Sequence, residues 1–425
     1  MTSLQSVLAA FAIILIDLFG RAVLDKVLAL AGDPAMVALW AQLQSVVELV
    51  SAVALAGVLQ GLTVMVAQAR DSRDEHSLLQ SALKLGMLTS LAVALIVVLV
   101  APVLTTWLTQ GKIEAFLFLL AACAGCIAVI PSTLSSYWLG KHRQQRMLGL
   151  ALLVGMVWLL VAVGAWMKLS LRGLVLVQCS VLLIIGGVVW RYLHKLLQAD
   201  GGQADRAEHF QKLVKFIPVG LAIGIMSPVS MLLIRGMLSG MLSWNEVGFI
   251  QALWRSTEWV TATAAGMLSL VFLPRFSSTY GSARFKGEIL RAALVVLVPA
   301  ACLLLLIFFN QRIMLATLYD ARFAVSNETA ALFMLGCWIR IVSWLFLYGL
   351  FAAHRTWLIV AGEVLSLPFF ALLLWLFAEG MTLERTALLY LASYLVYLSF
   401  NAFALMYSPR NPPVVQRQAM HENDT

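Results

Sequence analysis

The chain has 425 residues, of which 62% are hydrophobic and 12% are charged, and its mean hydropathy is +0.92. A water-soluble domain cannot bury so much apolar surface, so the composition excludes that class and indicates a multi-pass membrane protein. The net charge of +8 would also suit a nucleic-acid partner. Basic loops on the cytoplasmic side of a membrane protein explain it more simply, so we expect the membrane as a partner and no nucleic acid.

Apolar stretches of about 20 residues, the length needed for a helix to cross a bilayer, recur along the whole chain. We therefore predict an all-α polytopic fold with about twelve transmembrane helices. The first stretch lacks a basic start and contains Asp17 and Arg21, so we expect a retained helix and not a cleaved signal peptide. The approximate cores are 4–24, 38–68, 80–106, 114–137, 147–167, 173–193, 213–238, 246–273, 288–309, 329–352, 357–377 and 385–407.

Basic residues between these stretches and at their ends are distributed unevenly. If both termini are cytoplasmic, seventeen of them lie inside and seven outside, which is the asymmetry that cytoplasmic loops carry. The polar, glycine-containing segment 196–212 is typical of a linker. The predicted organisation is an N-terminal six-helix lobe at 1–195, this cytoplasmic linker, a C-terminal six-helix lobe at 213–408 and a cytoplasmic tail at 409–425.

The two halves of the chain resemble each other. At a shift of 210 residues, 37–56 aligns with 247–266, and Glu48 falls on Glu258. Each half has an even number of helices, so both would insert in the same direction. Two such lobes are expected to be related by a pseudo-two-fold axis along the membrane normal.

Four arginines lie inside apolar stretches: Arg21, Arg235, Arg255 and Arg340. An arginine within a bilayer is costly unless it faces a polar cavity or a counter-ion. Its planar fork of donors suits phosphate oxygens. A shared water-filled cavity that receives an anionic substrate would account for all four, and this is the hypothesis that we adopt for the group.

Acidic residues accompany two of the arginines. Asp17 and Arg21 are four residues apart, and Arg255 and Glu258 are three apart, so each pair lies on one helix face. Glu48 is expected at a depth similar to that of Arg255. The alternative for each pair is that it stabilises the fold as an ion pair and has no part in substrate binding.

Two further charged residues also have structural alternatives. Arg235 lies near the predicted outer end of its helix, from which its long side chain could extend to the membrane surface. Glu363, five residues before Pro368, could form a hydrogen bond between helices instead of serving transport.

The sequence predicts no metal, cofactor or catalytic residue. Cys123 and Cys126 have CxxC spacing, but they lie among small residues inside a span and are expected to pack there. The chain has no P-loop, so ATP is not the expected energy source. Proton or sodium coupling through Asp17, Glu48, Glu258 or Glu363 stays open.

A resemblance to a known family rests on three segments. One runs through Val66-Ala67-Gln68, and another is the stretch 361–397, with Gly362-Glu363-Val364 and Tyr394. The third, 243–277, begins and ends on residues often seen in this family: Trp244, Glu246, Val247, Gly248 and Gln251, then Leu273, Pro274 and Ser277. Nearly the whole chain resembles the Wzx-type O-antigen and enterobacterial-common-antigen lipid III flippases of the multidrug/oligosaccharidyl-lipid/polysaccharide (MOP) superfamily.

The resemblance implies a non-enzymatic transporter of the bacterial inner membrane. It would move an undecaprenyl-pyrophosphate-linked oligosaccharide from the cytoplasmic to the periplasmic leaflet by alternating access, for cell-surface polysaccharide biosynthesis. It also implies a cationic cavity, which we assign to Arg21, Arg255, Arg340 and Arg235. We expect a monomer, with polysaccharide-assembly proteins as candidate partners.

Polar and aromatic side chains near the arginines are candidates to contact the sugars: Gln42, Gln44, Gln251, Trp254 and Trp259. Two other functions stay open. A cation-coupled multidrug exporter of the same superfamily would use an acid such as Asp17, although the arginines would repel cationic drugs. A membrane glycan polymerase or ligase would need a large outward loop, and the longest predicted one, 310–328, is short.

Overall fold

The computed structural model describes residues 3–55, 58–69, 71–141, 143–198, 213–214 and 217–407. These residues form helices joined by short connections, and no strand occurs among them. The predicted all-α fold is confirmed.

The first half of the chain forms long helices, several of which end at short polar turns. Asp71 caps one of them, because its side chain accepts a hydrogen bond from the Asp74 backbone N–H. The helices are α1 (Ser3–Ala31), α2 (Pro34–Leu55), α3 (Val58–Gln68), α4 (Ser72–Thr109), α5 (Ala115–Gly140), α6 (Gln144–Trp166) and α7 (Leu171–Gln198).

The second half is more interrupted. Two π-helical segments and one 3-10 turn lie between its α-helices: Leu268–Phe272, Ala293–Leu297 and Ala321–Phe323. The helices are α8 (Ile217–Met241), α9 (Trp244–Met267), α10 (Leu273–Thr279), α11 (Arg284–Ala292), α12 (Val298–Phe309), α13 (Gln311–Leu318), α14 (Asn327–Ala352), α15 (Thr356–Val364), α16 (Leu367–Leu376) and α17 (Leu383–Met406).

Eleven helical stretches among the described residues are long and apolar enough to cross a membrane. They coincide with the second to twelfth predicted spans, from Pro34–Val53 to Leu383–Met406. The first predicted span, 4–24, coincides with α1 but is not among the eleven. The chain is therefore a multi-pass membrane protein.

By their internal contacts, the helices group into two compact units. The first comprises Met1–Gln251 with Leu318–Arg322, and the second comprises Ala252–Thr317 with Phe323–Thr425. Of the predicted linker, residues 196–198 continue α7, and the rest lies outside the described residues, as does the predicted tail. The lobe boundaries proposed from the sequence stay a prediction.

The structure supports the internal duplication. The turn at 32–33 between α1 and α2 and the turn at 242–243 between α8 and α9 lie 210 residues apart, the shift found in the sequence. The two turns also share a capping device. The Asp33 carboxylate accepts the backbone N–H three residues on at 2.9 Å, and the Ser243 hydroxyl does the same at 3.2 Å.

These two turns meet within the first unit. The Ala35 backbone N–H donates to the Asn245 side-chain oxygen at 3.1 Å, and these residues occupy equivalent positions of the repeat. Gly248 lies so close to the Pro34 carbonyl oxygen that an added Cβ would come within 2.1 Å of it. Only glycine permits this approach of α9 to the α1–α2 turn.

Candidate functional site

Arg21 is held between two carboxylates in the first unit. Its Nε lies 2.9 Å from Asp17 on the same helix, and its terminal nitrogen lies 3.1 Å from Glu48 on α2. The Asp17 and Glu48 side chains are 45% and 49% exposed. Asp17 and Arg21 thus form the ion pair that their spacing allowed, and Glu48 joins it from the neighbouring helix.

A tryptophan that we did not predict completes this cluster. The Trp158 indole N–H on α6 donates to Asp17 at 2.8 Å, and the Arg21 guanidinium lies 4.8 Å from the centre of the indole ring. The ring therefore orients both members of the ion pair. With one arginine and two carboxylates, the cluster carries more acid than base when all three groups are ionised.

Arg235 is buried, with 5% of the residue exposed, and does not extend to the membrane surface as the alternative prediction allowed. Its guanidinium donates to the Ser45 hydroxyl at 2.7 Å, to the Ala41 carbonyl oxygen at 3.1 Å and to the Gln251 amide oxygen at 3.0 Å. The first two partners belong to α2. Arg235 thus connects α8 to α2 through neutral groups inside the first unit.

Arg255 and Glu258 form an ion pair on α9 in the second unit, with 2.6 Å between nitrogen and oxygen. Arg255 lies eleven residues after Trp244, the start of the helix, or about 17 Å along its axis. This depth is near the middle of a bilayer core about 30 Å thick. Both side chains are partly exposed, at 17% and 37%.

Arg340 differs from the other arginines. It lies at the midpoint of α14, with its guanidinium 4.7 Å from the ring centre of Trp344 and 5.7 Å from that of Tyr394. It forms no ion pair with any carboxylate among the residues that the structure describes. The Tyr390 side chain is a further hydrogen-bond partner of Arg340. Aromatic faces stabilise a cation, and N–H groups that do not bond to protein could bind an anion.

Glu363 forms the hydrogen bond between helices that its alternative prediction described. It accepts a bond from the Tyr397 hydroxyl of α17 at 2.8 Å. The helix that carries Glu363 ends one residue later, and the next begins at Leu367, so the span is broken. Pro368 in the first turn of α16 lacks a backbone N–H, which favours the break there.

An aromatic cluster in the second unit surrounds Trp254. This residue is 8% exposed, and its indole ring packs against Phe333 at 5.6 Å, Tyr390 at 5.9 Å and Phe370 at 6.4 Å between ring centres. Trp254 therefore belongs to the core of the unit in this structure. Its predicted contact with a sugar stays a prediction.

Three of the other residues predicted to contact sugar have side chains bonded to protein. Gln42 donates to the Leu232 carbonyl oxygen at 3.0 Å, and Gln44 forms a reciprocal amide pair with Gln178 at 3.0 and 2.9 Å. Gln251 accepts from Arg235. All three glutamines are buried in the first unit. Trp259 is half-buried on α9.

Within each unit, the predicted residues fall into small groups. Asp17, Arg21 and Glu48 form one group and Arg235 and Gln251 another in the first unit. In the second unit, Arg255 pairs with Glu258, while Arg340 and Glu363 contact the α17 tyrosines. That all of them line one cavity stays a prediction. Among the described residues, no group of three or more His, Cys, Asp or Glu could hold a metal ion.

The sequence analysis assigned no site role to several aromatic residues that lie beside the predicted ones. Tyr390, Tyr394 and Tyr397 form a continuous row on α17, with successive ring centres 4.8 and 5.9 Å apart. Their spacing of four and three residues places them on one helix face, which is a signal that the sequence offered. Trp158 and Trp344 carried no comparable signal, since isolated tryptophans in apolar helices usually pack in the core.

Comparison with known proteins supports the inferred fold and family. No protein-family model matches the chain. The lipid III flippase of Escherichia coli K12 is 24% identical over 393 residues, which cover 88% of this chain and 91% of the relative, and the lipid III flippase of Shigella flexneri matches equally well. The predicted resemblance to the lipid III flippase family is confirmed.

Solved structures of MOP-superfamily transporters share the fold. An inward-facing multidrug-resistance MATE transporter superposes with a TM-score of 0.68 and 12% identity, covering 93% of this chain and 94% of that one. The lipid II flippase MurJ in an inward closed conformation also gives 0.68 and 12%, covering 96% and 88%. These equal scores show the fold but do not separate flippase from drug exporter.

Proposed function

We propose that the chain is a flippase that moves an undecaprenyl-pyrophosphate-linked oligosaccharide from the cytoplasmic to the periplasmic leaflet of the bacterial inner membrane. Its similarity to lipid III flippases over nearly the full length of both chains supports this function. The exchange of leaflets would proceed by alternating access. The sugars and pyrophosphate would enter a polar cavity while the prenyl tail stays in lipid.

Arg340 is the observation that carries the proposal. A cation at the middle of a span needs an anion or a polar cavity. Arg340 has aromatic rings and the Tyr390 hydroxyl where Arg21 and Arg255 have carboxylates. A pyrophosphate would accept charge-assisted hydrogen bonds from its guanidinium. We therefore assign Arg340 as the principal pyrophosphate ligand, with Arg255 as a second one when its pair with Glu258 opens.

The acids around Arg21 suggest how the anion is released. Asp17 and Glu48 already compete for Arg21, so a substrate phosphate would have to displace them. Binding of a proton or sodium ion to these carboxylates would weaken their hold on Arg21 and raise its affinity for an anion. Loss of that ion would restore the competition and favour release. This coupling is the part of the mechanism that we assign to the first unit.

Arg235 has a different place in the proposal. Its hydrogen bonds connect α8 to α2 near the helix ends that the charge balance predicts to be periplasmic. In alternating access, the periplasmic end must open for release. We assign Arg235 as a closing contact that breaks in that step, with Gln251 and Ser45 as its partners.

A multidrug exporter is the second candidate, because MATE transporters share the fold at the same TM-score as MurJ. Asp17 is partly exposed and would suit a cation-coupled exporter. Arg21 offsets only one of the two carboxylates beside it, so this cluster alone does not separate the two functions. The arginines elsewhere in the spans argue against a cationic drug, because they would repel it. Replacement of Arg255 separates the functions, because it should harm glycolipid transport and leave drug export intact.

The proposal is tested in a strain that lacks the gene, by measuring the amount and the membrane sidedness of lipid-linked glycan. We expect accumulation on the cytoplasmic leaflet, reversed by the wild-type chain but not by Arg340→Gln or Arg255→Ala. Arg291→Gln is the matched control, because Arg291 is an exposed arginine that is likewise paired with a glutamate, Glu288. This variant should restore transport.

Two other outcomes would contradict the proposal. Normal glycan on the outer leaflet, in a strain with no redundant flippase, would favour the drug exporter. Accumulation on the periplasmic leaflet would indicate a polymerase or ligase, and hence an enzyme. We expect the purified protein to act as a monomer, and polysaccharide-assembly proteins to be its partners in the cell.

A further inference from the structure

A basic surface lies where the start of α6 meets the end of α7 in the first unit. The Arg146 guanidinium donates to the Tyr192 hydroxyl at 3.0 Å, and this bond joins the two helices. Only three residues, 141–143, separate α6 from α5, and both helices belong to the membrane-crossing stretches. The surface therefore lies at one side of the membrane, at the depth of the lipid headgroups.

Four exposed basic side chains make up this α6–α7 basic surface: Arg143 and Arg146 at the start of α6, and Arg191 and Lys195 near the end of α7. In the part of the chain that the structure describes, the side chains of Arg143, Arg191 and Lys195 form no hydrogen bond or ion pair. Arg146 bonds through one nitrogen to a neutral hydroxyl, which does not offset its charge. The described residues therefore leave the positive charge of this surface largely uncompensated.

Glu75 of α4 lies near this surface, but it already has partners. Its carboxylate pairs with Lys141 and accepts a hydrogen bond from Tyr137 at 3.3 Å. Tyr137 precedes Trp138, whose ring centre lies 5.8 Å from that of Tyr192. Because Lys141 offsets the negative charge of Glu75, the basic surface as a whole is suited to bind an anion.

Next to the basic surface, one face of α7 matches the profile of a lipid molecule. Ile184, Val188 and Tyr192 follow one another at four residues, and Lys195 comes three residues later, so the four share one helix face. The first three are 68%, 55% and 37% exposed. From Ile184 to Lys195 the helix rises about 17 Å, close to half of a bilayer core about 30 Å thick. Apolar side chains thus lie at the depth of acyl chains, and a hydroxyl and a cation lie at the depth of headgroups.

We propose that the α6–α7 basic surface binds a phospholipid with an anionic headgroup. Arg146 and Lys195 hold its phosphate, and one acyl chain packs against Val188 and Ile184. The Tyr192 hydroxyl accepts a bond from Arg146 and still has its own proton to donate to the phosphate. Basic residues grouped between helices at the cytoplasmic membrane surface bind such headgroups, and the charge balance predicts that this surface is cytoplasmic.

This site does not depend on what the chain transports. Arg340, which we assign to the pyrophosphate, belongs to the second unit, and the Arg21 cluster lies on α1 and α2. The alternative is a role in topology alone, because basic residues on the cytoplasmic side orient a membrane protein without any ligand. Such residues need no exposed apolar face beneath them, and they would not distinguish one phospholipid from another.

The test uses the purified full chain in phosphatidylcholine nanodiscs. These contain phosphatidylglycerol with a photoreactive acyl chain or, in a parallel sample, phosphatidylcholine with the same chain. Cross-linked residues are identified by mass spectrometry. We expect phosphatidylglycerol to label the α7 segment 184–188 several-fold more than phosphatidylcholine does. Arg146→Gln and Lys195→Gln should each lower that labelling about fivefold, the effect of one basic residue at an anionic membrane surface. Arg146→Lys should retain most of it.

Lys168→Gln is the matched control, because Lys168 is an exposed lysine in the turn at the opposite end of the same two helices. It should not affect labelling of the segment 184–188. Equal labelling by both lipids, or no effect of Arg146→Gln and Lys195→Gln, would overturn the proposal and leave these residues a role in topology alone.

Two further outcomes would overturn it as well. Displacement of the label by undecaprenyl pyrophosphate at lower concentration than by unlabelled phosphatidylglycerol would indicate a substrate entry site. Labelling that appears only after the linker acids Asp200, Asp205 and Glu208 are replaced by their amides would show that the linker occupies the basic surface.

Discussion

The two units of the molecule stabilise their intramembrane arginines in different ways. In the first, Arg21 lies between two carboxylates, and Arg235 is buried among neutral oxygens. In the second, Arg255 has one carboxylate, and Arg340 lies against the rings of Trp344 and Tyr394. The first unit therefore satisfies these two arginines with protein oxygens, while Arg340 in the second has no carboxylate partner among the described residues, and we expect it to accept an anionic ligand.

This difference assigns separate tasks to similar residues. A guanidinium that already bonds to protein oxygens gains little from a substrate phosphate, because each new bond replaces an existing one. A guanidinium that lies mainly against aromatic faces keeps more of its N–H groups for charge-assisted bonds to a substrate. Four arginines that look equivalent in sequence are thus expected to contribute unequally to substrate binding. Experiments that remove them one at a time can test this.

The largest expected effect is on stability, from Arg235→Ala. The substitution leaves the Ser45 hydroxyl, the Gln251 amide and the Ala41 carbonyl without their donor in a buried position. Each buried polar group left unsatisfied costs about 1 to 3 kcal/mol, so thermal unfolding in detergent should occur at a much lower temperature. Arg172→Ala, at an arginine that contacts only the ring of Phe116 in the described contacts, should change stability by about 0.5 kcal/mol at most. Equal effects would contradict the buried network.

The next effect is on transport, from Arg340→Gln. Loss of charge-assisted bonds to a pyrophosphate should cost about 2 to 3 kcal/mol, which corresponds to a decrease of about 30-fold to 150-fold. The measurement is the rate at which reconstituted proteoliposomes translocate a prenyl-pyrophosphate-linked glycan. Arg340→Lys keeps the charge but loses the planar fork and should be intermediate. Wild-type rates in Arg340→Gln would show that the cation serves structure only.

A moderate effect is expected from Gly248→Ala. Its Cβ would come within 2.1 Å of the Pro34 carbonyl oxygen, so α9 must move away from the α1–α2 turn. Overpacking of this kind costs about 2 kcal/mol, measurable as a lower midpoint of thermal unfolding. Gly149→Ala on α6 is the control, because no atom lies within 4 Å of its added Cβ. That variant should be neutral or slightly more stable.

The smallest expected effect is a change in substrate affinity, from Glu48→Gln. It tests whether the carboxylates of the first unit keep Arg21 from binding an anion. Removal of one of the two carboxylates beside Arg21 makes that arginine more available to an anion. The affinity for undecaprenyl pyrophosphate should rise by about threefold, consistent with about 0.7 kcal/mol for a partly exposed ion pair. Glu384 lies at the start of α17, and its carboxylate accepts a hydrogen bond from the Ser326 hydroxyl. Glu384→Gln is the control and should leave the affinity unchanged. A decrease in Glu48→Gln would show that the acids do not compete with substrate.

The sequence predicted the helices well, because spans of apolar residues and polar turns are local features. Two of the helix boundaries repeat at the predicted shift of 210 residues. The break between Ala31 and Pro34 corresponds to the break between Met241 and Trp244. The pairing of Asp17 with Arg21 and of Arg255 with Glu258 was also foreseen, since residues three or four apart on a helix are neighbours.

Contacts between distant segments could not be predicted in the same way. Glu48 reaches Arg21 across 27 residues, and Arg235 reaches Ser45 across 190. Such partners depend on how helices pack, which periodicity does not encode. The sequence therefore placed Arg235 with the substrate-binding arginines, while the structure surrounds it with protein oxygens. The aromatic contacts of Arg340 could not be predicted from the sequence for the same reason.

The most direct test is equilibrium binding of undecaprenyl pyrophosphate to the purified full chain in nanodiscs. It compares the wild type, Arg340→Gln, and a variant that removes the whole Arg21 cluster by Asp17→Asn, Arg21→Gln and Glu48→Gln. We expect Arg340→Gln to weaken binding by at least about tenfold, and the cluster variant to bind as tightly as the wild type or slightly more tightly. Loss of binding in the cluster variant with normal binding in Arg340→Gln would contradict the division between the two units.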